Sequence, residues 1–235
     1  DGIALDVLTT AVQAKQAAHQ FGQFTASLIE FPIASLKLTI PQFHDLALRY
    51  HQFEQALKHG DANRMTEAKD AILFLQSHHA YVKQWLHFTG HQDAHLRVTH
   101  HDTKISNVLF KDDAAICVID LDTTMPGYFI SDVGDMCRTY LCPVNEACQD
   151  LNQIKVLPER WTAIQEGYLK AMGEFLTSFE KDHFKFSGQC IIYMQALRFL
   201  TDFLELDRYY RVERPGQNLD RTNNQIQLLI EFNQL

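Results

Sequence analysis

Apolar side chains at Leu5, Leu8, Val12, Ala18, Phe21, Phe24 and Leu28 recur in steps suited to one helix face and stop before Pro32, predicting one long amphipathic helix. After the short alternation Leu36, Leu38, Ile40, Pro41 stands as first-turn proline of a second predicted helix. That helix carries Phe43, Leu46, Ala47, Tyr50, Phe53 and Leu57 and ends at His59-Gly60. Asp61 is a cap for a third, whose inner face is Met65, Ala68, Ile72, Leu75, His79, Val82 and Leu86. From Leu96 the period shortens: Leu96 to Thr99, Asn107 to Lys111 and Ala114 to Asp120 read as strands, with Asp112-Asp113 turning between the last two. Helical spacing returns behind Pro158 at Trp161, Ile164, Tyr168, Met172, Phe175 and Phe179. It recurs at Cys190, Met194, Leu197, Thr201 and Leu204, where Ile192, Phe199 and Phe203 on the opposite face predict burial nearly all round. A last helix runs from about Asp220, with Ile226, Leu229 and Ile230 inside. The expected class is mainly α (α+β), with one small β-hairpin.

Composition narrows the partners. The 235 residues are 46% apolar and 21% charged, with no apolar run of ~20 residues, so no membrane span is expected. A net charge of −8 repels phosphate backbones and anionic lipid, which points to a small molecule rather than nucleic acid or membrane. Five cysteines, with no C-x-x-C pair, suit a reducing cytoplasm. Oligomeric state is left open.

The chemistry concentrates in His100-His101-Asp102-Thr103-Lys104-Ile105-Ser106-Asn107, followed after the hairpin by Val118-Ile119-Asp120-Leu121-Asp122. An Asp can meet an acceptor hydroxyl, an Asn five residues on can reach a divalent cation, and a second Asp beyond a hairpin can hold the same metal against phosphate oxygens. Phosphoryl transfer asks for this set, because positioning and charge neutralisation supply most of its rate.

The pattern H-x-D-x-x-x-x-N followed by I-D resembles the catalytic and metal loops of the protein-kinase-like fold, as in aminoglycoside phosphotransferases and choline kinases. The run Cys117 to Gly127, Ile40 to Asp45, Ser131-Asp132-Val133-Gly134-Asp135 with Arg138, and Tyr210 to Arg221 look similar to the N-acetylhexosamine 1-kinase-like members. The resemblance implies a kinase using ATP and Mg2+, with a sugar as acceptor. It makes Asp102 the base or orienter of the hydroxyl, Lys104 the group that steadies the γ-phosphate, and Asn107 and Asp120 the metal ligands. It makes His100 and Asp132 structural supports. Asp122, two residues past Asp120 on one strand face, is a further metal or substrate candidate, and Arg138, Tyr210, Arg211 and Arg214 are candidates for substrate contact.

Only Gly2, Gly22, Gly60 and Gly90 precede Asp102, too scattered for a phosphate-covering loop, and the pattern there is helical. The expectation is therefore a single C-terminal lobe over 1–235, with the nucleotide-binding lobe absent from this chain and the isolated chain inactive. Other readings are weaker. Seven histidines fall between His78 and His101, but His91 and His95 flank loop-like residues and lack a zincin motif. The dyads His44-Asp45 and His101-Asp102 suggest a helical metal-dependent phosphohydrolase, yet the second lies between strand and hairpin. Some N-acetylhexosamine kinase-like relatives carry a mucin-desulfating sulfatase label, but Cys142-Pro143-Val144 does not supply that enzyme's nucleophile motif. A non-catalytic kinase-like binding module is the remaining alternative.

Overall fold

The computed structural model describes residues 2–235. Its first helix, α1 (Ala11–Ser27), begins later than the apolar spacing predicts. Thr10 sets the start: its side chain accepts from Gln13 N, and the Gln13 side chain returns the contact to the Thr10 backbone. Upstream, β1 (Ile3–Ala4) pairs with β3 (Val108–Lys111), so Leu5 and Leu8 belong to a connector. The stretch Leu36 to Ile40 finds no partner strand. Pro41 lies in a turn, Gln42 is left-handed (φ 56°), and Asp45 instead caps α2 (Leu46–His59) by accepting from Leu48 N at 3.1 Å.

Asp61 caps the next helix, but the single expected helix is three: α3 (Ala62–Glu67), α4 (Lys69–Ser77) and α5 (Ala80–Thr89). The last break follows His78, whose Nδ1 donates back to Phe74 O at 2.8 Å. The strands β2 (Arg97–Thr99), β3, β4 (Ala114–Val118) and β5 (Met125–Gly127) build a three-stranded sheet, β1-β3-β4, and an antiparallel pair, β2-β5. Both expected strand ends are trimmed: Asn107 closes the 3-10 turn Ile105–Asn107, and Asp120 lies beyond β4 with φ 61°.

A helix the periodicity missed, α6 (Phe129–Tyr140), comes next. Ten of its twelve residues are buried, the polar face of Ser131, Asp132 and Asp135 included. Gly134 lets it approach α9 (Phe184–Leu204); a Cβ there would lie 2.2 Å from Ile191 Cγ1. Then α7 (Pro158–Met172) ends at Gly173, short of Phe179, which falls in α8 (Ser178–Asp182) behind a Thr177 capping box. Sixteen of the 21 residues of α9 are buried, as its two-sided pattern predicts, and α10 (Gln217–Asn233) closes the chain after left-handed Gly216. α9 packs against α6, α10 and α2, while α1 lies along α7. No described helix is long and apolar enough to cross a membrane.

Candidate active site

Two loops meet over α6: residues 100–107 between β2 and β3, and residues 119–123 between β4 and β5. The buried pair Arg97–Glu180 anchors the first from below. Its guanidinium makes 2.6 and 2.9 Å bonds to both carboxylate oxygens and a third to Phe175 O.

Helix α6 holds the loop residue by residue. The Asp132 carboxylate accepts from His100 N at 3.1 Å and His101 N at 2.8 Å. Asp135 accepts from Thr103 N at 2.7 Å, and the Tyr140 hydroxyl donates to Thr103 O at 2.5 Å. The Thr103 hydroxyl donates to Asp132 O at 2.9 Å. Burial pushes the Asp132 carboxyl up to about 6, against the favourable backbone N–H bonds and His100. Burial also raises Asp135, which Arg138 opposes.

His100 ties the loops together. It donates from Nε2 to Ile119 O at 3.0 Å and accepts from Asp102 N at Nδ1, 3.3 Å. Thr123 donates to His100 O at 2.6 Å, and Ile119 N to Asn107 O at 2.9 Å. These bonds bring Asn107 and Asp120 onto one side of the loop pair. At its centre Asp102, half-buried, receives bonds on Oδ2 from Lys104 Nζ (2.7 Å) and Asn107 Nδ2 (3.0 Å). Oδ1 takes part in neither of these bonds. Asn107 spends its amide N–H on the Asp102 carbonyl and carboxylate, which leaves its Oδ1 out of these bonds. Asp120 is exposed. Oxygen donors of this kind would suit a hard divalent cation. Asp122 sits in the 3-10 turn Leu121–Thr123, so the two-residue strand argument that placed it beside Asp120 does not hold.

The expected substrate contacts scatter. Arg138 is inward, paired with Asp135 (2.9 Å) and Glu146 (2.6 Å); burial opposes its charge, but these carboxylates hold it above the usual range. Arg214 bonds Asp220, and exposed Arg211 offers its carbonyl to Arg221. Tyr210 lines a hollow of about 320 Å³ with Tyr209, Arg49 and Arg198. Sequence spacing did not single out Arg49 and Arg198, which lie within α2 and α9.

The histidines do not converge on a metal: among the described residues no three His, Cys, Asp or Glu side chains form a metal-holding group. His91 stacks on Phe179 with centroids 3.8 Å apart, and His44 bonds Ser131 Oγ at 2.7 Å beside His101, which bonds the same hydroxyl at 2.9 Å. His101 itself is left-handed (φ 68°) and buried. Burial holds its imidazole down at about 4.

Comparison with known proteins agrees with this frame. The chain is similar to choline kinase from Cryptosporidium parvum Iowa II, at 14% identity and a TM-score of 0.53, covering 100% of this chain and 70% of that one. It is similar to Plasmodium vivax ethanolamine kinase at 14% identity and a TM-score of 0.54, covering 96% of this chain and 62% of that one. At these identities the likeness establishes a shared protein-kinase-like fold. Residues 1–156 match the model of the APH phosphotransferase enzyme family, so the chain belongs to that family.

Proposed function

We propose that this chain carries the acceptor- and metal-binding part of an ATP- and Mg2+-dependent small-molecule kinase whose acceptor is a sugar hydroxyl. The observation that carries the reading is Asp102 held on Oδ2 by Lys104 and Asn107, with Oδ1 open. In the transfer, the acceptor oxygen forms its bond to the γ-phosphorus as the bond to the bridging oxygen of ADP breaks. The hydroxyl proton passes to Asp102 Oδ1. Lys104, whose ammonium is 44% exposed, swings from Asp102 toward the charge on the transferred group. Asn107 Oδ1 and Asp120 would hold Mg2+, which neutralises phosphate charge when bound. His100 and Asp132 keep the two loops in register.

Sugar is favoured because Tyr210, one of the sequence candidates, walls a hollow that offers aromatic faces and guanidinium donors, the usual means of holding a polyhydroxyl ring. The N-acetylhexosamines, toward which the sequence resemblance points, are the reference acceptors. We further propose that the adenine and the α- and β-phosphates are held by a stranded lobe outside the two small sheets described here, so residues 1–235 alone transfer little phosphate. The test is phosphate transfer from ATP to a panel of sugars, amino alcohols and aminoglycosides by the full gene product. Turnover confined to amino alcohols would overturn the sugar reading, and robust turnover by residues 1–235 would overturn the divided site.

A further inference from the structure

Three polar side chains beside the catalytic loop, His44, His101 and Ser131, have no part in the transfer chemistry. The Ser131 hydroxyl, on α6, lies 2.7 Å from His44 Nδ1 and 2.9 Å from His101 Nδ1. A hydroxyl has one proton, so one of these ring nitrogens donates to Ser131 and the other accepts from it. His101 decides which. Its Nε2 is buried against the strand Met125–Gly127, outside full bonding geometry, yet the Pro126 and Met125 carbonyls favour a proton on the ring. That proton sits on Nε2, so His101 Nδ1 accepts from Ser131 and His44 Nδ1 donates to it. Burial, His101, and then Arg198, Arg138 and Arg49 hold His44 well below the ordinary histidine range. It is therefore neutral, with an unprotonated Nε2 that takes no hydrogen bond from the described residues.

All three side chains wall a cavity of about 330 Å³ bounded by the 38–47 segment, α5 and β5. The remaining wall is mostly apolar, with rings from Phe43, Trp85 and Tyr128 and a rim that includes exposed Leu86 and Leu96. Asp102, Asn107 and Asp120 are not part of it. Asp45 is the one formally charged side chain on this wall, and the opposite field of the three arginines reaches His44 beside it. Fields of both signs select neither an anion nor a cation. An apolar cavity with a few convergent polar groups suits a small molecule of matching polarity.

We propose that this cavity binds an uncharged molecule built on one aromatic ring that carries a hydroxyl or N–H. The ring packs against Phe43, Trp85 and Tyr128, and its donor bonds His44 Nε2. A group that can only accept would meet a lone pair there. Through Ser131 the bound molecule is linked to His101, the residue before Asp102. The site does not depend on the kinase reading above.

Ligand-observed NMR titration of the full gene product tests it, with phenol, acetophenone, benzoate and benzylamine as probes. Phenol, the neutral donor, binds about threefold to tenfold tighter than acetophenone, which only accepts. Its advantage over the anion and the cation, which lose hydration without a partner, is about tenfold or more. His44→Phe keeps a ring stacked on Phe43 and removes the acceptor, so it levels phenol and acetophenone, with folding checked by circular dichroism. Leu86→Glu changes an exposed rim residue, leaves the histidines intact and weakens phenol by about fivefold or more. Acetophenone binding as tightly as phenol or tighter overturns the proposal, and so does a charged probe matching phenol. A phenol preference that survives His44→Phe, binding indifferent to Leu86→Glu, or no binding at all would overturn it as well.

Discussion

Asp102 concentrates the argument at the residue scale, because its two oxygens have different work. Lys104 and Asn107 occupy Oδ2, so replacing the carboxylate by an amide removes the proton acceptor while leaving a side chain of the same size. Asp102→Asn therefore lowers kcat by roughly a hundredfold to ten-thousandfold, with ATP affinity nearly unchanged; steady-state kinetics beside nucleotide titration separates the two. His101 offers a second test. Its imidazole is held at about 4 in the folded chain and returns to 6.5 when unfolded, so the unfolded state takes up the proton first as pH falls. Its contribution is thus neutral above 6.5 and destabilising through the window from 6.5 down to 4, on the order of 3 kcal/mol. Asp132, raised to about 6, acts with the opposite sign between 3.8 and 6, its stabilisation present at low pH and lost as pH rises. The readable quantity is therefore a difference. His101→Asn, a residue that tolerates the left-handed backbone, loses less stability than the parent between those two pH values in urea melts.

Elements decide whether those residues meet, and α6 is the element that matters most. It presents Asp132, Asp135 and Tyr140 to successive atoms of the catalytic loop, and its depth against α9 depends on Gly134. Alanine in a helix interior is ordinarily favourable by about 1 kcal/mol over glycine. Here the added Cβ would lie 2.2 Å from Ile191 Cγ1 and 2.4 Å from Ser187 O, so Gly134→Ala costs a net of about 2 kcal/mol. A lowered urea midpoint together with a lowered kcat is the expected pair of readings. Beneath β2, Arg97→Met strands the Glu180 carboxylate, which is 0% exposed, and costs about 3–5 kcal/mol. Adding Glu180→Leu recovers only part of that loss in the same melts, because it also unpairs His95 N and Thr177 N.

The helix that carries this burden is the one left unpredicted. Phe129, Ile130, Val133, Met136, Cys137 and Tyr140 mark one apolar face of α6, so spacing could have found it; what spacing does not show is that the polar face is buried on loop N–H groups. The same reasoning explains what was legible. The helices α2, α7 and α9 follow from their apolar steps, whereas the starts of α1, α2 and α8 follow from the caps Thr10, Asp45 and Thr177, which outrank spacing. The spacing of Asp102, Asn107 and Asp120 was readable because these residues are close in sequence. Arg198 was not, since its neighbours Phe43 and Tyr210 arrive from distant segments.

Across the whole molecule, one helical body supports the two loops that carry Asp102, Asn107 and Asp120. The chain spans 70% of the choline kinase and 62% of the ethanolamine kinase it resembles. The most direct measurement is transfer of labelled γ-phosphate from ATP to a sugar by the full gene product, with Mg2+ and after its removal by chelation, for the parent and for Asp102→Asn and Asp120→Ala. The account predicts Mg2+-dependent labelling of the sugar that each substitution reduces by about a hundredfold or more. Undiminished labelling in Asp102→Asn, or labelling indifferent to both Mg2+ and Asp120, would contradict it.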